Sequence, residues 1–288
     1  MKIWSRIFAG ILAAGMALAM CGCSGEMSSK DLAKGITVVE GESSKGNTGE
    51  LTLADGDLVA VFNIKGYGTI KAKLFPEVAP VGVDNFVKLC DSGYYEGLSV
   101  HRVVSDFMMQ GGSLNGDGTG GEALVEDGSF GIETDLDAAR HFYGALCYAN
   151  AMGRNSTQFY IVNNNKPQTL SDTNVDGILS YAEQYSQAAQ EATDSDEAAY
   201  YAFWADYYNT MAEAVTAASD EAAAKYAEVG GTPSLDGNYT VFGQVYDGFD
   251  VIEKIAAAEV TDNGSGEQSK PVKDITIKSV KVYEYTAD

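Results

Sequence analysis

Residues 101–112 of this chain, His-Arg-Val-Val-Ser-Asp-Phe-Met-Met-Gln-Gly-Gly, are the stretch that decides the fold. A single cation, Arg102, precedes the apolar pair Phe107–Met108, and the amide Gln110 and two glycines follow. This order predicts a strand that carries Arg102, a turn at 105–106 and a returning strand. The hairpin would hold a guanidinium beside an apolar surface. Such a surface suits an apolar ring next to an amide bond that must be polarised, which is the chemistry of proline in a peptide.

The run resembles the signature of the cyclophilin family of peptidyl-prolyl cis-trans isomerases, and four further motifs resemble that family in the same order. They are the glycine-rich Asn-Gly-Asp-Gly-Thr-Gly-Gly-Glu at 115–122, Gly-Ala-Leu-Cys-Tyr-Ala-Asn at 144–150, Asn-Ser-Thr-Gln-Phe-Tyr-Ile at 155–161 and Leu-Asp-Gly-Asn-Tyr-Thr-Val-Phe-Gly at 235–243. The resemblance covers residues 51–167 and 232–288, which we expect to form one barrel domain.

Hydrophobic patterning supports that expectation. Residues 58–64 and 69–75 predict a hairpin, and residues 275–283 alternate as a closing strand. Apolar residues at helical spacing predict amphipathic helices over 81–89 and 249–257. The family resemblance implies a mainly β fold: a closed eight-stranded antiparallel barrel with two capping helices. A closed barrel also removes exposed sheet edges.

Residues 168–231 interrupt the family pattern and predict an α-helical insert. We expect helices over 178–192, 196–218 and 219–229, the second of which carries an aromatic stripe at helical spacing. The insert holds twelve acidic residues and one lysine, Lys225. We expect the stripe to pack among the insert's own helices and onto the barrel. Its members are Tyr200, Trp204, Tyr207, Met211 and Val215.

The N-terminus has the features of a bacterial lipoprotein signal peptide, over residues 1–22. Two basic residues precede an apolar run that is too short to span a bilayer. Cys23 follows a glycine and is the predicted lipidation site; Cys21 is the rival, and an ordinary secretory signal is the alternative. Residues 23–50 are rich in Ser, Gly, Lys and Glu and predict a flexible tether. This reading places the protein outside the cytoplasm, anchored to the membrane through lipid.

Charge and cysteine content restrict the partners. The net charge of −22 argues against nucleic-acid binding, which requires a basic face. Cys90 falls on a predicted helix and Cys147 on a predicted strand, so we expect two buried free thiols rather than a disulfide. The composition predicts no particular oligomeric state.

The resemblance also implies roles for individual residues. Rotation about a bond that precedes proline is slow because resonance gives it double-bond character. A donor that stabilises the twisted amide would accelerate rotation, with no covalent step and no cofactor. Arginine suits this role because it stays charged and carries forked donors. The implied catalytic residues are Arg102, Phe107 and Gln110. The implied substrate-binding residues are Met108, Ala149, Asn150, Gln158, Tyr160, Leu235 and Tyr239.

A second motif lies at the start of the insert. Residues 172–183 match the pattern of a calcium-binding EF-hand loop, with oxygen ligands at the first, third, fifth and twelfth positions and a backbone ligand at the seventh. An Asp- and Asn-rich turn that caps a helix explains the same residues. The calcium ligands under the first interpretation are Asp172, Asn174, Asp176, Ile178 and Glu183.

These observations together predict a peptidyl-prolyl cis-trans isomerase, or rotamase, that acts on X-Pro bonds of exported or surface proteins. Its partners would be proline-containing peptides, unfolded exported proteins and the membrane. The alternative is a non-catalytic chaperone or scaffold that binds through the barrel groove and the helical insert. A pure scaffold has no need to keep Arg102, Phe107 and Gln110 together, which favours the enzyme.

Overall fold

The fold is taken from a computed structural model, which describes residues 39–40, 42–125 and 127–286. The predicted signal peptide 1–22, the predicted lipidation site Cys23 and its rival Cys21 lie outside the described residues. Among the residues that are described, no helix is both long and apolar enough to cross a membrane.

Eight antiparallel strands form one sheet, in the order β12-β3-β4-β9-β7-β8-β6-β5. Two minor sheets pair β1 (Val39–Glu40) with β2 (Thr52–Leu53), and β10 (Val260–Asp262) with β11 (Gln268–Pro271). The strands of the main sheet are β3 (Leu58–Ile64), β4 (Gly68–Leu74), β5 (Val100–Val104), β6 (Met108–Gly111), β7 (Ala145–Ala151), β8 (Arg154–Val162), β9 (Val241–Asp247) and β12 (Ile277–Glu284).

The main sheet curls until its two edge strands meet. Ser99, next to β5, pairs with Thr276, next to β12. The amide of Val100 donates to the carbonyl of Ile275, and the amide of Ile277 donates to the carbonyl of Leu98, both within 2.9 Å. These bonds satisfy backbone groups that an open sheet would expose. The predicted fold class, a mainly β barrel of the cyclophilin type, is confirmed.

Two amphipathic helices pack against the barrel, as predicted. Helix α1 (Pro80–Asp91) buries Phe86, whose ring lies 5.9 Å from Phe62 and 5.1 Å from Phe242 inside the barrel. Its first turn is capped by Glu133, whose carboxylate accepts from the backbone amides of residues 81 and 82. Such a cap satisfies donors that a helix N-terminus leaves free. The insert contributes the next three helices, and the last, α5 (Phe249–Ala256), turns its apolar face to the barrel.

The insert is helical, as expected. Short 3₁₀ turns flank it at 170–172 and 233–235. Asp194 caps the second of its helices by accepting from two backbone amides, and Ser219 caps the third. Aspartate and serine are favourable there because their oxygens satisfy unpaired amides. The helices are α2 (Val175–Glu191), α3 (Ser195–Thr216) and α4 (Asp220–Val229).

The stripe of α3 is buried from Trp204 to Val215 and half-buried at Tyr200, which agrees with the expected packing. Tyr207 is 8% exposed, and its ring lies 6.3 Å from that of Tyr239 on the barrel side. On the opposite side, Tyr208 stacks on Tyr181 and Tyr185 of α2, at 5.5 and 5.7 Å. The insert therefore joins the barrel core through one face of α3.

The prediction of a flexible tether over residues 23–50 is wrong for its last nine residues. Residues 42–50 pack onto the barrel instead of forming a flexible linker, because their polar groups find specific partners. Asn47 is 1% exposed; it donates to the Arg140 carbonyl and to Gln244, and accepts from the Arg140 amide. The ammonium of Lys225 on α4 donates to the carbonyls of Asn47 and Gly49. Within the described residues, then, the chain is docked from about residue 42 onward. Cys90 and Cys147 are free and buried, as predicted.

Candidate active site

A groove of about 840 Å³ runs across the face of the barrel that carries β5 and β6. Arg102 on β5 pairs with Gln110 on β6, and Asp106 turns the hairpin with a φ of 57°. An aspartate tolerates this left-handed conformation better than most residues. The hairpin predicted from residues 101–112 is therefore present, and it directs its polar and apolar side chains into the same groove.

All ten predicted catalytic and substrate-binding residues line this groove. They come from four strands (β5 to β8), the turn between β5 and β6, the 3₁₀ turn at 233–235 and the loop before β9. Arg102 and Tyr239, the two ends of the set, are 137 residues apart in the sequence. The ten are Arg102, Phe107, Met108, Gln110, Ala149, Asn150, Gln158, Tyr160, Leu235 and Tyr239. Their individual roles stay predictions.

The guanidinium of Arg102 is held mainly by a carboxylate. Its Nε and Nη2 donate to the two carboxylate oxygens of Glu267, each at 2.7 Å. Its Nη1 makes weaker contacts, 3.4 Å to Oε1 of Gln110 and 3.6 Å to Sδ of Met108. The ring of Phe107 lies 5.9 Å from the guanidinium carbon. The two short bonds to Glu267 use two of the five N–H donors of arginine, while Nη1 makes only long contacts.

Two glutamines connect the hairpin to the glycine-rich loop. The amide nitrogen of Gln110 donates to Oε1 of Gln158 at 3.0 Å, and Nε2 of Gln158 donates to the carbonyl of Gly118 at 2.8 Å. This chain fixes the Gln110 amide so that its oxygen faces Arg102. Gln110 thus contacts Arg102, although at 3.4 Å its contact is weaker than that of Glu267.

The apolar end of the groove has a tyrosine floor. The ring of Tyr160 packs edge-on against Tyr239 with centroids 6.0 Å apart, and Met108 and Leu235 are buried beside them. The Tyr160 hydroxyl lies 3.0 Å from Nε2 of the buried His141. Burial raises the pKa of Tyr160 well above its usual value, so the hydroxyl stays protonated. The hydroxyl is thus engaged by His141 and the pocket wall can remain apolar.

A buried ionic cluster lies beneath this floor. Asp236 accepts from Nη1 of Arg140 at 2.9 Å and from the His141 ring at 2.8 Å, and all three side chains are at most 2% exposed. Because an ionised carboxylate only accepts, Nδ1 of His141 carries a proton, and in the neutral ring Nε2 accepts from Tyr160. The hydroxyl of Tyr226, on α4 of the insert, also donates to Asp236, at 2.8 Å. The cluster therefore links the pocket floor to the insert.

His101 on β5 is a packed strand residue. Its ring is largely buried, and neither nitrogen has a partner within the described part of the chain. Burial, and then the nearby charge of Arg102, lower its pKa to about 4. The imidazole is consequently uncharged at neutral pH.

Strand β7 ends in the groove. Ala149 and Asn150 are half-buried there. The Asn150 side chain is occupied within the protein: it donates to the Asn238 carbonyl at 2.9 Å and accepts from the Gly153 amide at 3.1 Å. The Asn150 side chain is therefore held by protein groups, and its predicted part in substrate binding stays a prediction.

The predicted calcium ligands do not fit a calcium loop. Helix α2 begins at Val175, so Asp176, Ile178 and Glu183 all lie on one helix. At a rise of 1.5 Å per residue, Asp176 and Glu183 are about 10 Å apart along the axis. That separation is too large for two carboxylates that must each lie within about 2.5 Å of one ion.

The first two predicted ligands behave as the alternative explanation requires. Asn174 caps α2 by accepting from the amide of Gly177 at 3.0 Å, and Asp172 closes the preceding 3₁₀ turn. Over the described residues, no group of three or more His, Cys, Asp or Glu side chains could hold a metal ion. The turn that caps a helix is therefore the better explanation of the motif.

Glu267 was missed by the sequence reasoning. It lies in the loop between β10 and β11, which forms one wall of the groove. The run 262–268, Asp-Asn-Gly-Ser-Gly-Glu-Gln, predicts a turn and nothing more. Only the fold brings this loop to β5, 165 residues earlier in the chain.

Comparison with known proteins agrees with the fold. The sequence profile of the family described as "Cyclophilin type peptidyl-prolyl cis-trans isomerase/CLD" matches residues 59–177 and 171–282. A Staphylococcus haemolyticus protein named "Putative peptidyl-prolyl cis-trans isomerase" is 36% identical over 217 residues, which cover 75% of this chain and 86% of that protein. A protein of the same name from Staphylococcus saprophyticus is 34% identical over 235 residues, covering 81% and 96%.

Solved structures show the same fold. A cyclophilin type peptidyl-prolyl cis-trans isomerase of Cryptosporidium parvum, crystallised in the presence of the dipeptide Ala-Pro, superposes with a TM-score of 0.51. The two proteins are 20% identical, and the match covers 79% of this chain and 99% of the other. At that identity the likeness concerns the fold alone. With the profile match and the two staphylococcal relatives, the chain belongs to the cyclophilin-type peptidyl-prolyl cis-trans isomerase family.

Proposed function

We propose that this chain catalyses cis-trans rotation about X-Pro bonds in exported or surface proteins, with Arg102 as the group that stabilises the twisted amide. The observation that carries the proposal is the position of Arg102. Its guanidinium lies beside Phe107 and Met108 at the head of a pocket floored by Tyr160, and Arg102 retains N–H donors outside its pair with Glu267.

The mechanism follows from this arrangement. A proline ring would occupy the apolar end of the groove, while the peptide backbone extends along Ala149 and Asn150. In the twisted state the amide nitrogen is pyramidal and carries a lone pair, and the carbonyl oxygen has moved. A guanidinium donor that meets the nitrogen or the oxygen in that state stabilises it over both planar states. No proton is transferred and no bond is broken.

Two features of the site favour proline-containing peptides as substrates. The apolar pocket accepts a ring without hydrogen-bonding groups, since both tyrosine hydroxyls of its floor are already engaged, that of Tyr160 by His141 and that of Tyr239 by Tyr207. The Cryptosporidium parvum relative was crystallised in the presence of Ala-Pro, a ligand of the same chemistry. The calcium that the sequence pattern allowed has no role in this mechanism.

The proposed location rests on the N-terminal sequence. The basic start, the short apolar run and the Gly22-Cys23 pair are the pattern of a lipoprotein signal peptide. A lipid with more than one acyl chain on Cys23 would anchor the protein stably to the outer side of a bacterial membrane. Cys23→Ala should then abolish incorporation of labelled lipid, whereas Cys21→Ala should not. The reverse result would assign the anchor to Cys21.

Catalysis is tested by the exchange rate between cis and trans forms of a tetrapeptide with one X-Pro bond. The wild-type protein should accelerate exchange, and Phe107→Ala, which removes apolar area from the groove, should reduce kcat/KM by about 10-fold. Lys88→Ala on the exposed face of α1 is the matched control. A folded wild type without activity that still prevents aggregation of an unfolded protein would instead support the chaperone alternative.

A further inference from the structure

We propose that Glu267 is a positioning residue for Arg102: its carboxylate holds the guanidinium in the orientation that catalysis requires. The inference rests on the proposed function and adds to it a residue from outside the five motifs. It starts from the two 2.7 Å hydrogen bonds that join Nε and Nη2 of Arg102 to the Glu267 carboxylate.

The paired geometry fixes a plane as well as a position. A bidentate arginine–carboxylate pair aligns the two planar groups and is among the strongest charge-assisted contacts in proteins. The Arg102 side chain is 8% exposed and that of Glu267 is 20% exposed, so water weakens this pair less than an exposed one. The contacts to Gln110 and Met108, at 3.4 and 3.6 Å, are too long to set the orientation alone.

It also matters which nitrogens of the Arg102 guanidinium donate to Glu267, because the others are left to face the pocket. Glu267 occupies the Nε side of the guanidinium and leaves Nη1 with no closer partner than Gln110. Nη1 is the nitrogen that lies toward Met108 and the apolar pocket. An arginine side chain loses much of its rotamer entropy when it is ordered. Glu267 orders it before the substrate binds, so less of that cost falls on the transition state.

The loop that carries Glu267 is built to present it. Asp262 accepts from the amides of Gly264 and Gly266, and the Asn263 amide donates to the Glu267 carbonyl at 2.9 Å. Gly264 and Gly266 both have φ near +90°, a conformation that side-chain-bearing residues rarely adopt. These contacts turn the loop between β10 and β11 back over Arg102.

The protonation state of Glu267 gives a second signature. Burial acts to raise the pKa of its carboxyl, but the hydrogen bonds and positive charge of Arg102 outweigh burial, so the pKa lies below its usual value. The ion pair is therefore complete above that pKa and is lost as the pH falls through it. Wild-type kcat should decline on that acidic limb, and the kcat of Glu267→Gln should not show the same limb.

The test compares Glu267→Gln with Glu259→Gln, which removes the same charge from an exposed position just before β10. In the full chain, we expect Glu267→Gln to lower kcat for the X-Pro tetrapeptide by about 10-fold and to leave KM within about twofold. Glu259→Gln should change neither. In an Arg102→Ala background, adding Glu267→Gln should have no further effect on kcat, because Glu267 acts through Arg102.

A readout without turnover separates this inference from the proposed function. The Nε–H resonance of Arg102 should exchange slowly with water in the wild type and faster in Glu267→Gln. An unchanged resonance, an unchanged kcat or a faster Glu267→Gln variant would each overturn the positioning role while the wild type remains an isomerase. A wild type that does not accelerate exchange would overturn the proposed function and, with it, the contribution of Glu267 to turnover, and the resonance would still report the ion pair.

Discussion

The barrel and the helical insert contribute to the groove in different ways. The barrel provides every one of the ten predicted site residues, whereas none of the described insert residues lines the groove. The insert instead contacts groups beneath the pocket: Tyr226 donates to Asp236, and the carbonyl of Ala214 accepts from Arg140 at 3.1 Å. The difference indicates that the groove belongs to the barrel, while the insert stabilises the buried ionic cluster beneath the groove.

The largest expected effect follows from removal of the insert. Replacing residues 170–230 with a short glycine-rich linker would expose Phe142 and Tyr239, which are now at most 7% exposed. Each fully exposed aromatic costs about 1.5–3 kcal/mol, and a domain has only about 5–15 kcal/mol of stability. We expect a large fall in melting temperature by circular dichroism, or loss of the folded state. A deletion variant that melts like the full chain would show that the insert is an independent appendage.

In the buried ionic cluster beneath the pocket floor, Asp236→Asn should have the next largest effect on stability. It removes the charge that Arg140 and His141 both contact, and breaking a buried ion pair typically costs about 3–5 kcal/mol. Chemical denaturation should give a free energy of unfolding lower by that amount. Asp250→Asn, which breaks an exposed pair with Lys254, serves as the control and should change stability by less than about 1 kcal/mol. Equal effects of the two variants would contradict a structural role for the cluster.

A smaller loss of stability is expected when only the hydrogen bond from the insert to the ionic cluster is removed. Tyr226→Phe deletes the hydroxyl that donates to Asp236, a contact worth about 1.5–3 kcal/mol because its acceptor is charged. Tyr201→Phe removes an exposed hydroxyl from α3 and should be nearly neutral. We expect the folded Tyr226→Phe variant to keep its tetrapeptide kcat/KM within about twofold. A loss of activity without a loss of stability would mean that the insert takes part in the chemistry.

The smallest effect concerns calcium. Because Asp176 and Glu183 lie on one helix and too far apart to share an ion, millimolar calcium should leave the melting temperature unchanged within about 1 °C. The same scan with a chelator provides the baseline. A saturable rise in melting temperature that Asp176→Asn abolishes would restore the calcium interpretation.

The barrel was predictable because its motifs are local. The hairpin around Arg102, the strand that ends at Asn150 and the strand with Gln158 each carry their pattern within a few residues. The helices of the insert were also predictable, since Asp194 and Ser219 are strong caps and the aromatic stripe has helical spacing.

Contacts that join distant segments were not predictable. Glu267 lies in a glycine-rich turn without a recognisable motif, and its partner is 165 residues away. The docking of residues 42–50 was missed because the segment is polar and lacks periodicity; Asn47 is buried through specific hydrogen bonds rather than through apolar area. The calcium pattern failed for a different reason. Its residue types match a calcium loop, but most of the segment forms a helix, which Asn174 caps.

The most direct test of the account is the rate of cis-trans exchange on an X-Pro tetrapeptide with the wild type and Arg102→Ala, measured by exchange spectroscopy on folded proteins of known melting temperature. We expect the wild type to accelerate exchange and Arg102→Ala to lower kcat/KM by about 10²-fold or more, the loss expected for one preorganised donor. Arg102→Lys should recover little, because an ammonium cannot reproduce the forked donors. Equal rates for the wild type and a folded Arg102→Ala variant would contradict the central role of Arg102.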